Sequence, residues 1–235
     1  MEKHNIAKIN EIFESIQGEG KYLGANQIFV RFSNCNLNCK FCDTKFFEGK
    51  EYDVQALIKE LLSYDLSIVH SISFTGGEPL MFVDFLNEFL VGFKDISKKY
   101  NIKIYLETNG TLFQNLKKIV DKIDIISMDI KLKTATEEVN QFDINDKFLE
   151  IASNVETYVK VVFDNKIEEN EIENCCYLAK KYNVSLYLQP ESSFLFKELK
   201  DQNNTLFLEN IHKKFLKYYK NVFLIPQVHK FLNLR

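Results

Sequence analysis

Short runs of β-branched and aromatic residues alternate along this chain with segments of helical period, and that alternation sets most of what the chain can become. Residues 28–33, 68–74, 102–107, 123–129, 157–163, 184–189 and 221–225 read as strands. Residues 53–64, 79–99, 112–121, 146–153, 167–182 and 205–219 read as helices between them. Val54, Leu57, Ile58, Leu61 and Leu62 share one helical face, with Asp53 placed as N-cap and Pro79 opening the next helix. Strands that alternate with helices build βαβ units and a parallel sheet. Six to seven strands fall short of the eight of a closed barrel. The expected fold is therefore α/β, an incomplete TIM-like barrel of parallel strands with outer helices, in one domain over residues 1–235. Two polar excursions, 132–145 and 191–204, carry no clear period.

Polar and glycine-rich motifs gather at the expected carboxyl ends of the strands: Thr75-Gly-Gly-Glu-Pro79, Glu107-Thr-Asn-Gly110, Ser127–Lys131, Gln189 and His229. Active sites of barrel enzymes are built there, so the distribution argues for an enzyme. The first expected strand leads into Cys35-Asn-Leu-Asn-Cys39-Lys-Phe-Cys42. Thiolates bind soft metals and iron–sulfur clusters, and most such sites use four protein ligands. Here only three thiols are close in sequence. A cubane held by three leaves one iron open to a small molecule. The bland alternatives are a zinc knuckle completed by His4 or His229, or three ordinary thiols. Arg31, a lone charge in an apolar strand, needs an anionic partner, either a structural carboxylate or a substrate. Gln17 and Glu19, in the glycine-spaced turn that ends residues 9–20, can read the donor and acceptor edge of a heterocycle, or belong to a plain loop before a strand. Thr44, beside Asp43, is a hard oxygen donor suited to Mg²⁺. Cys175 and Cys176 read as packed thiols on a helix.

A net charge of −3 gives no basic field for nucleic acid. No apolar run is long enough for a membrane span, and the opening Met-Glu-Lys-His-Asn does not start a signal peptide. Five cysteines without a paired framework suit a reducing, cytoplasmic setting.

The cysteine loop, with Phe41 before its last thiol, resembles that of the radical S-adenosylmethionine (radical SAM) family. Ser15-Ile-Gln-Gly-Glu-Gly20, Phe29-Val-Arg31, Cys42-Asp-Thr44, the Gly-Gly-Glu-Pro turn, Glu107–Gly110 and His229-Lys230 together resemble the 7-carboxy-7-deazaguanine synthase family of queuosine and 7-deazapurine biosynthesis. One departure is Ser127-Met-Asp-Ile-Lys131, where some members have Ser-Pro-Lys. The resemblance implies a lyase of the radical SAM type. It would convert 6-carboxy-5,6,7,8-tetrahydropterin to 7-carboxy-7-deazaguanine and ammonia, with a SAM-derived radical and no conventional acid or base. It implies a [4Fe–4S] cluster on Cys35, Cys39 and Cys42, and Mg²⁺ on Thr44. SAM would be held by Phe41, Asp43, Gly76, Gly77, Glu78, Glu107, Ser127, Met128, Asp129, Lys131 and Gln189. The pterin would be held by Ile16, Gln17, Gly18, Glu19, Arg31, Thr75 and His229. A homodimer served by a flavodoxin or ferredoxin is also implied, with no nucleic acid and no membrane. The competing readings are a glycyl-radical-enzyme activase and a non-catalytic metal or iron–sulfur module.

Overall fold

In the computed structural model, which describes residues 5–40, 42, 49–192, 195 and 202–234, seven strands run parallel in one sheet. They are β2 (Asn26–Phe32), β4 (Ser71–Gly76), β5 (Lys103–Thr108), β6 (Ile125–Ile130), β7 (Glu156–Phe163), β8 (Ser185–Pro190) and β9 (Val222–Leu224). Two antiparallel strands extend the sheet, β1 (Ala7–Ile16) beside β2 and β3 (Lys50–Tyr52) beside β1. The spatial order is β3-β1-β2-β4-β5-β6-β7-β8-β9, so the sheet has two ends and does not close. The expected incomplete barrel is the observed one.

Strand β1 is not among the expected strands, since residues 9–20 read from the sequence only as a segment ending in a glycine-spaced turn or as a plain loop before a strand. Lys8, Glu11 and Glu14 interrupt its apolar residues, and its pairing with β2 shifts register between Ile9 and Glu11. An antiparallel strand with one polar face shows no continuous apolar run.

The longer helices cover the outer face, whereas the last short helix carries His229 to the cavity. The helices include α1 (Val54–Leu61), α2 (Val83–Tyr100), α5 (Phe142–Ala152), α6 (Glu169–Tyr182) and α7 (Gln202–Tyr218), with single turns at α3 (Phe113–Leu116) and α4 (Lys133–Thr136) and a short α8 (Val228–Leu232). Asp53 caps α1 by accepting from Ala56 N at 2.7 Å, as its sequence position implies. Helix α2 packs a phenylalanine ridge on the sheet: Phe89 meets Phe74 edge-on at 5.3 Å and stacks on Phe93 at 5.1 Å. It stops at Asn101, whose φ of 55° is the left-handed conformation that asparagine tolerates. The helix expected over 112–121 shrinks to α3 and a 3₁₀ turn at Val120–Lys122, because the chain must re-enter the sheet at Ile125. Cys175 and Cys176 are buried in α6, as expected of packed thiols. No helix among the described residues is long and apolar enough to cross a membrane.

The sheet curls. In a flat sheet β1 and β7 would stand about 24 Å apart at about 4.8 Å per step. Yet the turn after β1 reaches β7, where Lys160 Nζ lies 2.6 Å from Glu19 Oε2. That turn starts at the amino end of β2, with Gln17 N donating to Ala25 O at 2.8 Å. It enters the concavity from the end opposite the cysteine loop.

Candidate active site

The cysteine loop is held from two sides. The Gly-Gly-Glu-Pro turn grips its start: Gly77 N donates to Phe32 O at 2.9 Å and Glu78 N to Asn34 O at 2.7 Å. Asn109 Nδ2 donates to Asn36 Oδ1 at 2.9 Å, and Asn36 Nδ2 to Thr111 Oγ1 at 2.8 Å. The polar excursion after β6 supports the far side, with Lys40 N donating to Thr136 O at 3.0 Å and Asn38 N to Glu138 Oε1 at 2.6 Å. A segment without clear sequence period thus buttresses the thiols.

Cys35, Cys39 and Cys42 line one wall of a cavity of about 220 Å³. Ile16, Gln17, Gly18, Glu19, Arg31, Thr75, Gly76, Gly77, Glu107, Asp129, Lys131 and His229 line the same cavity. One network ties its polar wall together. Glu107 accepts from Gln17 Nε2 at 2.8 Å and from Thr75 Oγ1 at 2.8 Å. Gln17 Oε1 accepts from Glu19 N at 3.0 Å. Arg31 Nε lies 2.8 Å from Glu11 Oε1 in an ion pair and the guanidinium lies over the Phe13 ring, so the structural salt bridge exists while the residue still lines the cavity. Gly18 leaves room for His229: a Cβ there would sit 2.4 Å from its Nδ1.

The Radical SAM superfamily model matches residues 29–184. The chain is 35% identical to the 7-carboxy-7-deazaguanine synthase of Archaeoglobus fulgidus over 97% of its length and 99% of the relative's. It is 31% identical to that of Geobacter sulfurreducens over 96% and 97%. It belongs to the 7-carboxy-7-deazaguanine synthase family of radical SAM enzymes. A crystal structure of QueE from Escherichia coli shares the fold, with a TM-score of 0.62 at 21% identity over 95% of each chain.

Membership in the radical SAM superfamily implies a [4Fe–4S] cluster and SAM. The donor set of this 7-carboxy-7-deazaguanine synthase family member fits the cluster. No cysteine among the described residues is in a disulfide, and the three clustered thiols face one cavity while Cys175 and Cys176 are buried elsewhere. No group of three or more His, Cys, Asp or Glu among the described residues is arranged to hold a metal ion. Burial pushes the Cys39 thiol up to about 11, against the pull of Lys131, so cluster binding must displace a proton.

Several expected SAM contacts stand behind the cavity wall. Glu78, Ser127, Met128 and Gln189 are fully buried and do not line the cavity. Met128 lies in the hydrophobic core, so its side chain is turned from the cavity that Asp129 lines; adjacent strand residues face opposite ways. Phe41, Asp43, Thr44 and the alternative ligand His4 lie outside the described residues. Lys160 and Gln227 line the cavity without having been singled out in the sequence, and Asn109 lines it after entering only as part of the Glu107–Gly110 motif. Only the topology brings the first two to the others.

Glu78 is a clasp. Its carboxylate accepts from Leu80 N at 3.1 Å, Thr108 Oγ1 at 2.9 Å and Asn109 N at 2.8 Å, joining the carboxyl ends of β4 and β5. Burial raises its pKa from 4.5 to about 7, against those donors and Lys131. Between these values the folded protein keeps a proton that the unfolded chain has lost, so stability falls as pH rises through that window. The expected loss is of the order of 3 kcal/mol, at about 1.4 kcal/mol per pH unit. Thermal melts of the wild type and Glu78→Gln between pH 4.5 and 7.5 check this. The wild type loses stability that the variant does not, and parallel curves would contradict the assignment.

Proposed function

We propose that the chain converts 6-carboxy-5,6,7,8-tetrahydropterin to 7-carboxy-7-deazaguanine with loss of ammonia. One observation carries this reading: the thiol triad and the Gln17–Glu107–Thr75 network with Arg31 face the same cavity. A soft-metal site thus confronts a wall suited to an anionic heterocycle. Cys35, Cys39 and Cys42 hold the cluster. When bound, cluster and SAM supply a 5′-deoxyadenosyl radical that takes a hydrogen from the pterin C6.

The other roles belong to this chain's own groups. Lys131, 3.0 Å from Asp129, offers a cation to the SAM carboxylate while Asp129 accepts from ribose hydroxyls. Gly76, with φ of 105°, and Gly77 bring backbone close to the SAM amino group. Gln17, Gly18 and Glu19 meet the pterin edge, and Thr75 and His229 complete that wall. Glu107, expected with SAM, is bonded to Gln17 and Thr75 and is assigned to the substrate side. Arg31 pairs with the pterin carboxylate, and Thr44 ligates Mg²⁺ there. Together these groups orient the substrate and exclude water, while the cofactor carries the chemistry. The continuous sheet supports one catalytic domain over residues 1–235. A cytoplasmic homodimer reduced by a flavodoxin or ferredoxin completes the reading.

Protein reconstituted anaerobically with iron, sulfide and a reductant will form 7-carboxy-7-deazaguanine from the pterin only with SAM and Mg²⁺. Absence of product overturns the proposal. Arg31→Met will weaken pterin binding by about 1.5–3 kcal/mol, the scale of a hydrogen bond to a charged group. Steady-state kinetics will show it as a raised KM with a smaller change in kcat; an unchanged KM contradicts the role.

A further inference from the structure

Lys160 stands out among the cavity's charges because its sequence setting gives no reason for it. It lies inside β7, its side chain is 3% exposed, and a buried ammonium is costly unless paired. It is paired twice. Its Nζ donates to Glu19 Oε2 at 2.6 Å and stands 3.5 Å from Asp129 Oδ1. Each carboxylate has a second tether: Gln227 Nε2 donates to Glu19 Oε1 at 2.6 Å, and Lys131 Nζ to Asp129 Oδ2 at 3.0 Å. His229 Nδ1 lies 4.0 Å from Glu19. Four remote parts of the chain therefore meet at one ammonium: the turn after β1, the end of β6, the middle of β7 and the C-terminal segment.

The two carboxylates belong to different walls. Glu19 sits with the residues assigned to the pterin, and Asp129 with those assigned to SAM. We propose that Lys160 is a positioning residue that locks Glu19 against Asp129 and so sets how far the pterin stands from the SAM-derived radical. The inference rests on the proposed function and deepens it. Hydrogen transfer needs the reacting atoms about 3–3.5 Å apart, and a shift of about 1 Å can cost about 100-fold. Lys160 supports this geometry in a second way: burial alone would lower its pKa, but Asp129, Glu19 and Glu107 outweigh burial and raise it, so the charge persists.

The test is a double-mutant cycle with Lys160→Met, Glu19→Gln and the two combined, together with Lys160→Arg. Two quantities are read on cluster-loaded protein. One is pterin affinity by calorimetry with SAM but no reductant, so that nothing turns over. The other is kcat/KM under reducing conditions. Lys160→Met is expected to lower kcat/KM by about 100-fold and to weaken pterin binding, with Lys160→Arg recovering most of both. Added to Glu19→Gln, Lys160→Met should cost no more than about threefold further, because its partner is already gone. If Lys160→Met alone does not fold, the combined variant removes both charges together and is compared with Glu19→Gln. A full Lys160 effect in the Glu19→Gln background, or a Lys160→Met protein with wild-type affinity and kcat/KM, overturns the inference. If the wild type neither binds nor converts the pterin, the proposed function fails and this inference fails with it. If the wild type does both and the cycle is additive, this inference alone fails.

Discussion

Cys39→Ala will give a folded protein that cannot retain a four-iron cluster and whose turnover falls by more than about 100-fold, the loss already typical of residues that merely support a metal ligand. The fold should survive because Cys39 is only partly buried and its loop is held by other contacts: Lys40 N to Thr136 O, Asn38 N to Glu138, and Asn36 to Thr111. The melting temperature of the metal-free variant will stay near that of the metal-free wild type. Iron and sulfide analysis, visible absorption and product formation after identical reconstitution check the prediction. Cys175→Ala is a control, since that thiol is buried in α6 away from the cavity. A Cys39→Ala protein with full iron and wild-type turnover would remove the cysteine loop from the mechanism.

Gly77→Ala should be nearly as damaging, through backbone contact instead of lost ligation. A Cβ at residue 77 would lie 1.9 Å from Asn34 O and 3.0 Å from Cys35 N. Neither neighbour is the tip of a flexible side chain. Relief requires moving the start of the cysteine loop and stretching the bonds from Gly77 N to Phe32 O and from Glu78 N to Asn34 O. Overpacking of this kind costs about 1–3 kcal/mol. The variant will melt lower, bind less iron and turn over more slowly. Wild-type melting together with full iron content would show that the turn and the loop are not coupled as described.

Much of this architecture was legible because strand and helix periods differ so plainly along the chain. The parallel strands were found because the inner ones are largely buried on both faces and read as apolar runs, while the outermost, β9, exposes Phe223 yet keeps the apolar run Val222–Leu224. Strand β1 was missed because Lys8, Glu11 and Glu14 break its run, and β3 because three residues carry too little pattern. The cysteine loop and the Gly-Gly-Glu-Pro turn were legible as local spacing. Lys160 was not: a lysine in a strand looks solvated until the curled sheet brings Glu19 and Asp129 to it. Gln227 was hidden for the same reason, since its partner Glu19 is far away in sequence. Met128 shows the converse. Its neighbours Ser127 and Asp129 face inward, and strand alternation turns Met128 outward into the core.

The central claim is that three thiols hold the cluster and leave one iron to bind SAM. Electron–nuclear double resonance on the reduced, reconstituted protein, with SAM carrying ¹⁵N in its methionyl amino group, reads that iron directly. The account predicts a ¹⁵N coupling to the cluster that is absent with unlabelled SAM. A cluster signal unchanged by SAM, with no such coupling, would contradict it.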